Sequence, residues 1–167
     1  DYREKLGIGK DKIVIGRHGA YYTFDLDIAK RKVRELVELD DRFVFLFVNT
    51  RPFINHERVK FISSIVDRQK KSNFINTCDA MIHGRNRGES FGLSVCEFLH
   101  HNKPVFAWES GLDLNHVHLL KSYDSLYNEK NIIEKLQSIN DFKDKDWKSL
   151  VSEFTPKKVI TKFDEVF

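Results

Sequence analysis

Six consecutive apolar residues, Phe43–Val48 (FVFLFV), leave no polar face on which a strand could meet water. Such a strand has to be covered on both sides, and sheets covered on both sides are built from parallel strands with helices on each face. The flanking sequence suits that arrangement. Short apolar or β-branched runs at 12–16 (KIVIG), 59–62, 80–83 (AMIH), 104–108 (PVFAW) and 125–127 read as further strands. Between them lie apolar stripes at helical spacing: Ala29, Val33, Leu36 and Val37; Phe74 and Ile75; Val95, Cys96, Phe98 and Leu99; Ile132, Ile133, Leu136 and Ile139. Residues 115–121 predict a short helix, and Val159, Ile160, Phe163, Val166 and Phe167 predict a last one. Strands alternating with helices through short connections define an α/β fold, a doubly wound parallel sheet of Rossmann-like type. At 167 residues it is one domain with a sizeable core. Residues 1–11, polar and broken by Gly7 and Gly9, read as a linker into a single domain over 12–167.

Charge excludes some partners. The 28 basic and 25 acidic residues nearly balance and are scattered, so the clustered basic stripe that nucleic acid requires is absent from the sequence. Lys70-Lys71 and Lys157-Lys158 read as solvated helix faces. No apolar run approaches the ~20 residues of a transmembrane segment, and no signal peptide is read at the start. Cys78 and Cys96 sit in apolar patterns, as reduced, inert thiols of a cytoplasmic protein would.

The chemistry concentrates in residues 88–104. Gly88, Glu89 and Ser90 favour neither helix nor strand, and Phe91, Gly92 and Leu93 lead into a helical run that Asn102 and Pro104 stop. This predicts a loop feeding the N-terminus of a buried helix, whose first amides lack internal partners and suit a phosphate. Glu97 lies eight residues beyond Glu89, about two helical turns, so the two carboxylates return to roughly one face. An anion site flanked by carboxylates that seek hydroxyls suits a nucleoside diphosphate attached to a sugar. Ligands of doubly wound sheets sit beyond the carboxyl ends of the strands. Arg17, residues 49–51 and Glu89 follow the first, second and fourth strands and therefore open on one edge.

The pair Glu89-x7-Glu97 surrounds Phe91-Gly92-Leu93, follows DAMIHGR and precedes NKPVFAW, while Gly16-Arg17 closes the first strand. Together these resemble the E-x7-E segment of retaining GT-B glycosyltransferases, glycosyltransferase family 4 (the group 1 glycosyl transferases) above all. The resemblance covers essentially the whole chain, as the C-terminal, donor-binding half of such an enzyme. It implies that Glu97 accepts bonds from two ribose hydroxyls and Glu89 from donor-sugar hydroxyls. Ser90 and the amides of Phe91, Gly92 and Leu93 would hold the sugar and distal phosphate, and Gly16 with Arg17 the diphosphate. Glu89 and Arg17 would be the catalytic pair. The family's lysine, five residues after the arginine, is Tyr22 here, so Tyr22, Thr23 or His18 is expected to compensate.

The resemblance further implies a UDP- or GDP-sugar donor, no cofactor, no metal, and a glycan, lipid or protein acceptor. The N-terminal GT-B domain is absent from this sequence, so the chain alone should bind donor and transfer little. The enzyme would be cytoplasmic, peripheral to a membrane only through that other domain. The alternative is a nucleotide-binding or interaction module without transfer activity. Asp25-x-Asp27 imitates a metal-binding pair, but at a helix start either residue reads as a cap. His116-x-His118 places its histidines on different helix faces, which argues against a metal site, although Asn115 and His116 are candidates for the cleft wall. His83 ends the fourth strand and either reaches the ligand or bonds to backbone.

Overall fold

The structure, a computed structural model, describes residues 1–165. The sheet is parallel, with strands β1 (Ile13–His18), β2 (Phe43–Val48), β3 (Val59–Ile62), β4 (Ala80–Ile82), β6 (Val105–Trp108) and β8 (Leu126–Tyr127) in the order β3-β2-β1-β4-β6-β8. Two further short strands, β5 (Gly88–Glu89) and β7 (Asp113–Leu114), pair with each other. Every residue of β2 is buried, as its sequence requires. Phe43, Phe45 and Phe47 line one face with ring centroids 6.4 and 6.1 Å apart, and Phe61 of β3 stacks on Phe47 at 5.5 Å. Fully burying one such ring is worth ~1.5–3 kcal/mol, which makes β2 the main anchor of the core.

β1 pairs with β2 along its whole length, from Ile13 opposite Phe43 to His18 opposite Val48. It therefore runs two residues past the predicted end, and Arg17 and His18 belong to the strand. The chain winds outward from β1 in both directions, so the switch in strand order falls between β1 and β4. Helix α1 (Asp27–Leu39) buries Ile28, Ala29, Val33, Leu36 and Val37. Neither Asp25 nor Asp27 caps it, contrary to the sequence reading: Leu26 is the N-cap residue. Asp25 instead accepts the Asn86 amide at 2.7 Å, and Asp27 pairs with Lys30 at 3.1 Å. The amides of Asp25 and Leu26 both donate to the Gly84 carbonyl, which draws this turn onto the loop after β4.

Helix α2 (Arg68–Thr77) starts on Asp67, whose side chain accepts the Lys70 amide, and α3 (Leu93–His100) follows β5. Later helices are α4 (Asn115–Leu120), α5 (Ile132–Gln137), α6 (Asn140–Lys143) and α7 (Pro156–Asp164). Val159 and Ile160 lie on α7 with largely exposed side chains. Val166 and Phe167, expected to continue that helix, lie outside the described residues. Residues 1–11 form turns against the domain: the Tyr2 amide donates to Thr77 at 2.6 Å, Arg3 pairs with Asp79 at 2.7 Å, and Ile8 is buried. Both cysteines are free thiols, and burial pushes the Cys96 thiol up to about 11 and Cys78 higher still, which keeps them unreactive. Among the described residues, no helix is long and apolar enough to cross a membrane.

Candidate active site

The β5–β7 pair sets the entrance to α3. Gly88 has φ +81°, and a Cβ there would sit 2.1 Å from the Asp113 carbonyl oxygen, so only glycine permits the approach. Gly92, with φ +85° and ψ 57°, is the N-cap of α3 and supplies no side chain to it. The first amides of the helix, at Leu93, Ser94 and Val95, are therefore left for a ligand. Leu93 and Ser94 line a cleft of about 470 Å³ at the carboxyl ends of β1 and β4, the switch point of the sheet. Arg17, Thr23, His83, Glu89, Ser90, Phe91, Gly92, Leu93 and Glu97 all line it, together with His18, Lys71 and Arg85.

The two carboxylates arrive by different routes. Glu89 lies in β5 and Glu97 just over one turn into α3, so chain folding rather than helical periodicity brings them to one cleft. Each is held by two cation-forming side chains. Glu89 meets His83 Nε2 at 3.3 Å and Arg85 Nη1 at 3.1 Å. Glu97 meets His18 Nε2 at 3.0 Å and Lys71 Nζ at 2.7 Å. Burial alone would raise both carboxyl pKa values, but these bonds outweigh it, lowering Glu89 and holding Glu97 at about 2. Both are anions at neutral pH. His18 is fixed for its part by the Phe98 ring at 5.8 Å and the edge contact with Phe74 at 6.2 Å.

Arg17 is placed differently from a free phosphate hook. It is 4% exposed, and both terminal nitrogens are occupied. Nη1 donates to Thr50 Oγ1 at 2.5 Å and the Asn49 carbonyl at 3.5 Å; Nη2 donates to Thr23 Oγ1 at 2.6 Å and the Ala20 carbonyl at 3.2 Å. Burial lowers its pKa to about 10, still a cation at neutral pH, with Glu89 opposing the shift. Thr23 thus serves Arg17, and the loop of residues 19–23 is tied through it to the end of β2.

Two expected site residues lie elsewhere. Tyr22 is 70% exposed, packs edge-on against Tyr21 at 4.9 Å, and borders a separate groove with Arg51 and Phe53, so it does not replace the missing lysine in this cleft. Gly16 is a packing glycine: a Cβ there would lie 2.3 Å from Cys78 Sγ and 3.2 Å from Phe98 Cζ. Lys71, read from sequence as a solvated face, is corrected to a cleft residue. Its spacing from Phe74 and Ile75 puts it on the buried side of α2, a signal present in the sequence. Arg85 follows β4 as Arg17 closes β1, so the strand-end rule that singled out Arg17 applied to it equally.

Behind Glu89, the rings of His83 and His116 lie 4.6 Å apart. His116 Nε2 meets the Trp108 carbonyl at 2.9 Å, and burial lowers its pKa to about 4, so it is a neutral donor there. Asn115 donates its side-chain amide to the Ser90 carbonyl and steadies the loop. His118 takes no part in this cluster, and among the described residues no group of three or more His, Cys, Asp or Glu is arranged to hold a metal ion.

No protein-family model matches the chain, and no curated protein matches it by sequence. Solved structures match its fold. HepE (Alr3699) of Anabaena, in complex with UDP and glucose, superposes with a TM-score of 0.74 at 16% identity over 98% of this chain and 50% of its own. WaaG, a glycosyltransferase involved in lipopolysaccharide biosynthesis, gives 0.70 at 14% identity over 98% of this chain and 48% of its own. The chain thus spans about half the length of these two proteins, and its parallel sheet has the Rossmann-like fold found in GT-B structures. A third match is LpcC of Francisella tularensis, a glycosyl transferase group 1 family protein. Its C-terminal domain matches at 0.67 and 12% identity, over 89% of this chain and 88% of that domain.

Proposed function

We propose that the cleft binds a nucleoside-diphospho-sugar, UDP- or GDP-linked, as the C-terminal half of a retaining glycosyltransferase that works without metal. One observation carries this reading: at the switch point of a glycosyltransferase-type sheet, an uncapped helix start lies between two ionised carboxylates. Two carboxylate oxygens on Glu97 suit the paired hydroxyls of a ribose, and Glu89 suits hydroxyls of the donor sugar. The α3 amides suit the diphosphate between them. As the sugar leaves, charge builds on the diphosphate, and fixed amides and cations in the same cleft stabilise it most at that moment. Catalysis here is positioning and electrostatics, with Glu89 orienting the sugar ring.

Retention rests on the likeness of the Glu89-x7-Glu97 segment to retaining enzymes, and metal independence on the cations that face the phosphate region. A partner N-terminal domain would close the other wall and bring a glycan, lipid or protein acceptor, with transfer on the cytoplasmic side. Calorimetric titration of the chain with UDP, GDP and UDP-glucose tests the reading. One nucleotide series should bind, with an affinity unchanged by EDTA. Loss of binding in EDTA and its return with Mn²⁺ would overturn metal independence, and absence of binding by all three would overturn the donor site.

A further inference from the structure

From the geometry of the cleft we infer that Lys71 and Arg85, rather than Arg17, are the cations that hold the donor diphosphate. The inference rests on the donor-binding reading and names the residues that complete it. In the family this chain resembles, an arginine and a lysine after the first strand would fill that role. Here the lysine position is Tyr22, which lies outside the cleft, and both terminal nitrogens of Arg17 already donate to Thr50, Thr23 and two carbonyls. Drawing Arg17 onto a phosphate would break its buried bond to Thr50 and three part-buried ones, which is costly.

Lys71 and Arg85 are placed the other way round. Their side chains keep 30% and 32% of their surface exposed, and both line the cleft. An ammonium carries three N–H groups and a guanidinium five. Among the described residues, Lys71 gives one hydrogen bond, to Glu97, and Arg85 one, to Glu89, so each has N–H groups left over. They also bracket the open end of α3: Lys71 stands beside Glu97, inside the first turns, and Arg85 beside Glu89, just before the helix. A diphosphate on the α3 amides, with ribose at Glu97 and sugar at Glu89, would lie between these cations. Lys71 then faces the phosphate next to the ribose, and Arg85 the phosphate next to the sugar, where its planar fork suits two oxygens.

The test titrates the parent chain, Lys71→Met, Arg85→Met and Arg17→Lys with UDP and GDP, using uridine and guanosine as counterparts that lack phosphate. Titrations run at 10 °C, with melting curves alongside. Lys71→Met and Arg85→Met should each weaken the diphosphate that binds by about tenfold or more, the scale of a lost charged hydrogen bond. They should leave the matching nucleoside within about twofold and make diphosphate binding less sensitive to salt. Arg17→Lys should lower the melting temperature while changing diphosphate affinity little. Equal losses for nucleoside and diphosphate in Lys71→Met would show that Lys71 acts through Glu97 on the ribose, and would overturn its assignment. Full diphosphate affinity in both Met variants, with a selective loss in Arg17→Lys, would return the role to Arg17. A parent chain that binds neither diphosphate fails the donor reading itself, and the inference with it.

Discussion

Replacing Arg17 with methionine is expected to destabilise the domain by about 3 kcal/mol, because a charge-assisted network loses the buried guanidinium at its centre. For a chain of this size that corresponds to a fall in melting temperature of roughly 6–12 °C. Methionine fills much of the same space, so the loss comes from polar groups rather than from a cavity. The two hydroxyls retain partners, since Thr50 still donates to the Val48 carbonyl at 3.1 Å and Thr23 to the Ala20 carbonyl at 2.9 Å. That limits the cost. What disappears is the bridge that the buried guanidinium makes between Thr23 and Thr50, while the Asn49–Gly19 and Arg51–Tyr21 hydrogen bonds still hold the loop of residues 19–23 to the end of β2. Thermal melts of parent and variant decide the matter. An unchanged melting temperature with lost diphosphate binding would make Arg17 a ligand residue and not a structural one.

The second large effect falls on Glu97→Gln. Glutamine keeps the shape but removes the charge that His18 and Lys71 share, at 3.0 and 2.7 Å. Charge-assisted bonds to the ribose hydroxyls should be worth roughly 1.5–3 kcal/mol together, which is about 10- to 100-fold in affinity for the nucleoside diphosphate. Stability should change little, since the Glu97 side chain is 36% exposed and solvent screens its ion pairs. Unlike Lys71→Met, this variant should weaken nucleoside and diphosphate together, because the lost contact is to the ribose. Full affinity in the variant would remove Glu97 from the ribose, and an unfolded variant would make it a structural carboxylate.

The sheet was legible because its signals are strong and local. FVFLFV admits only a doubly covered strand, and the stripe through Ala29, Val33, Leu36 and Val37 is buried as its spacing requires. That Arg17 and Glu89 open on one edge followed from strand order, but residues 49–51, expected beside them, do not line the cleft, and Glu97 reaches it by a route that helical spacing did not describe. The strands β5 and β7 were illegible, since two residues each carry no periodicity and their pairing depends on contacts 25 residues apart in the chain, Gly88 with Asp113 and Glu89 with Leu114. Direction within the site was also beyond the sequence. A strand-end arginine reads the same whether its fork faces a ligand or the Thr50 hydroxyl, and only the packed structure distinguishes them. Tyr22 inherited a role from its position in a motif, while the turn at residues 19–23 carries its side chain out of the cleft. Lys71 was hidden by its neighbour, because a lysine pair suggests solvent although only one of the two lies on the buried side of α2.

The most direct measurement is an amide NMR titration of the ¹⁵N-labelled chain with UDP-glucose and its GDP counterpart, GDP-mannose. One of them should shift the amides of Gly92, Leu93, Ser94 and Val95 first and most, as phosphate oxygens take up the free N–H groups of α3, with smaller changes near Glu89 and Glu97. Amides around Tyr22, Arg51 and Phe53 should stay in place. Shifts confined to that second groove, with the start of α3 undisturbed by either nucleotide sugar, would show that the donor does not bind at α3.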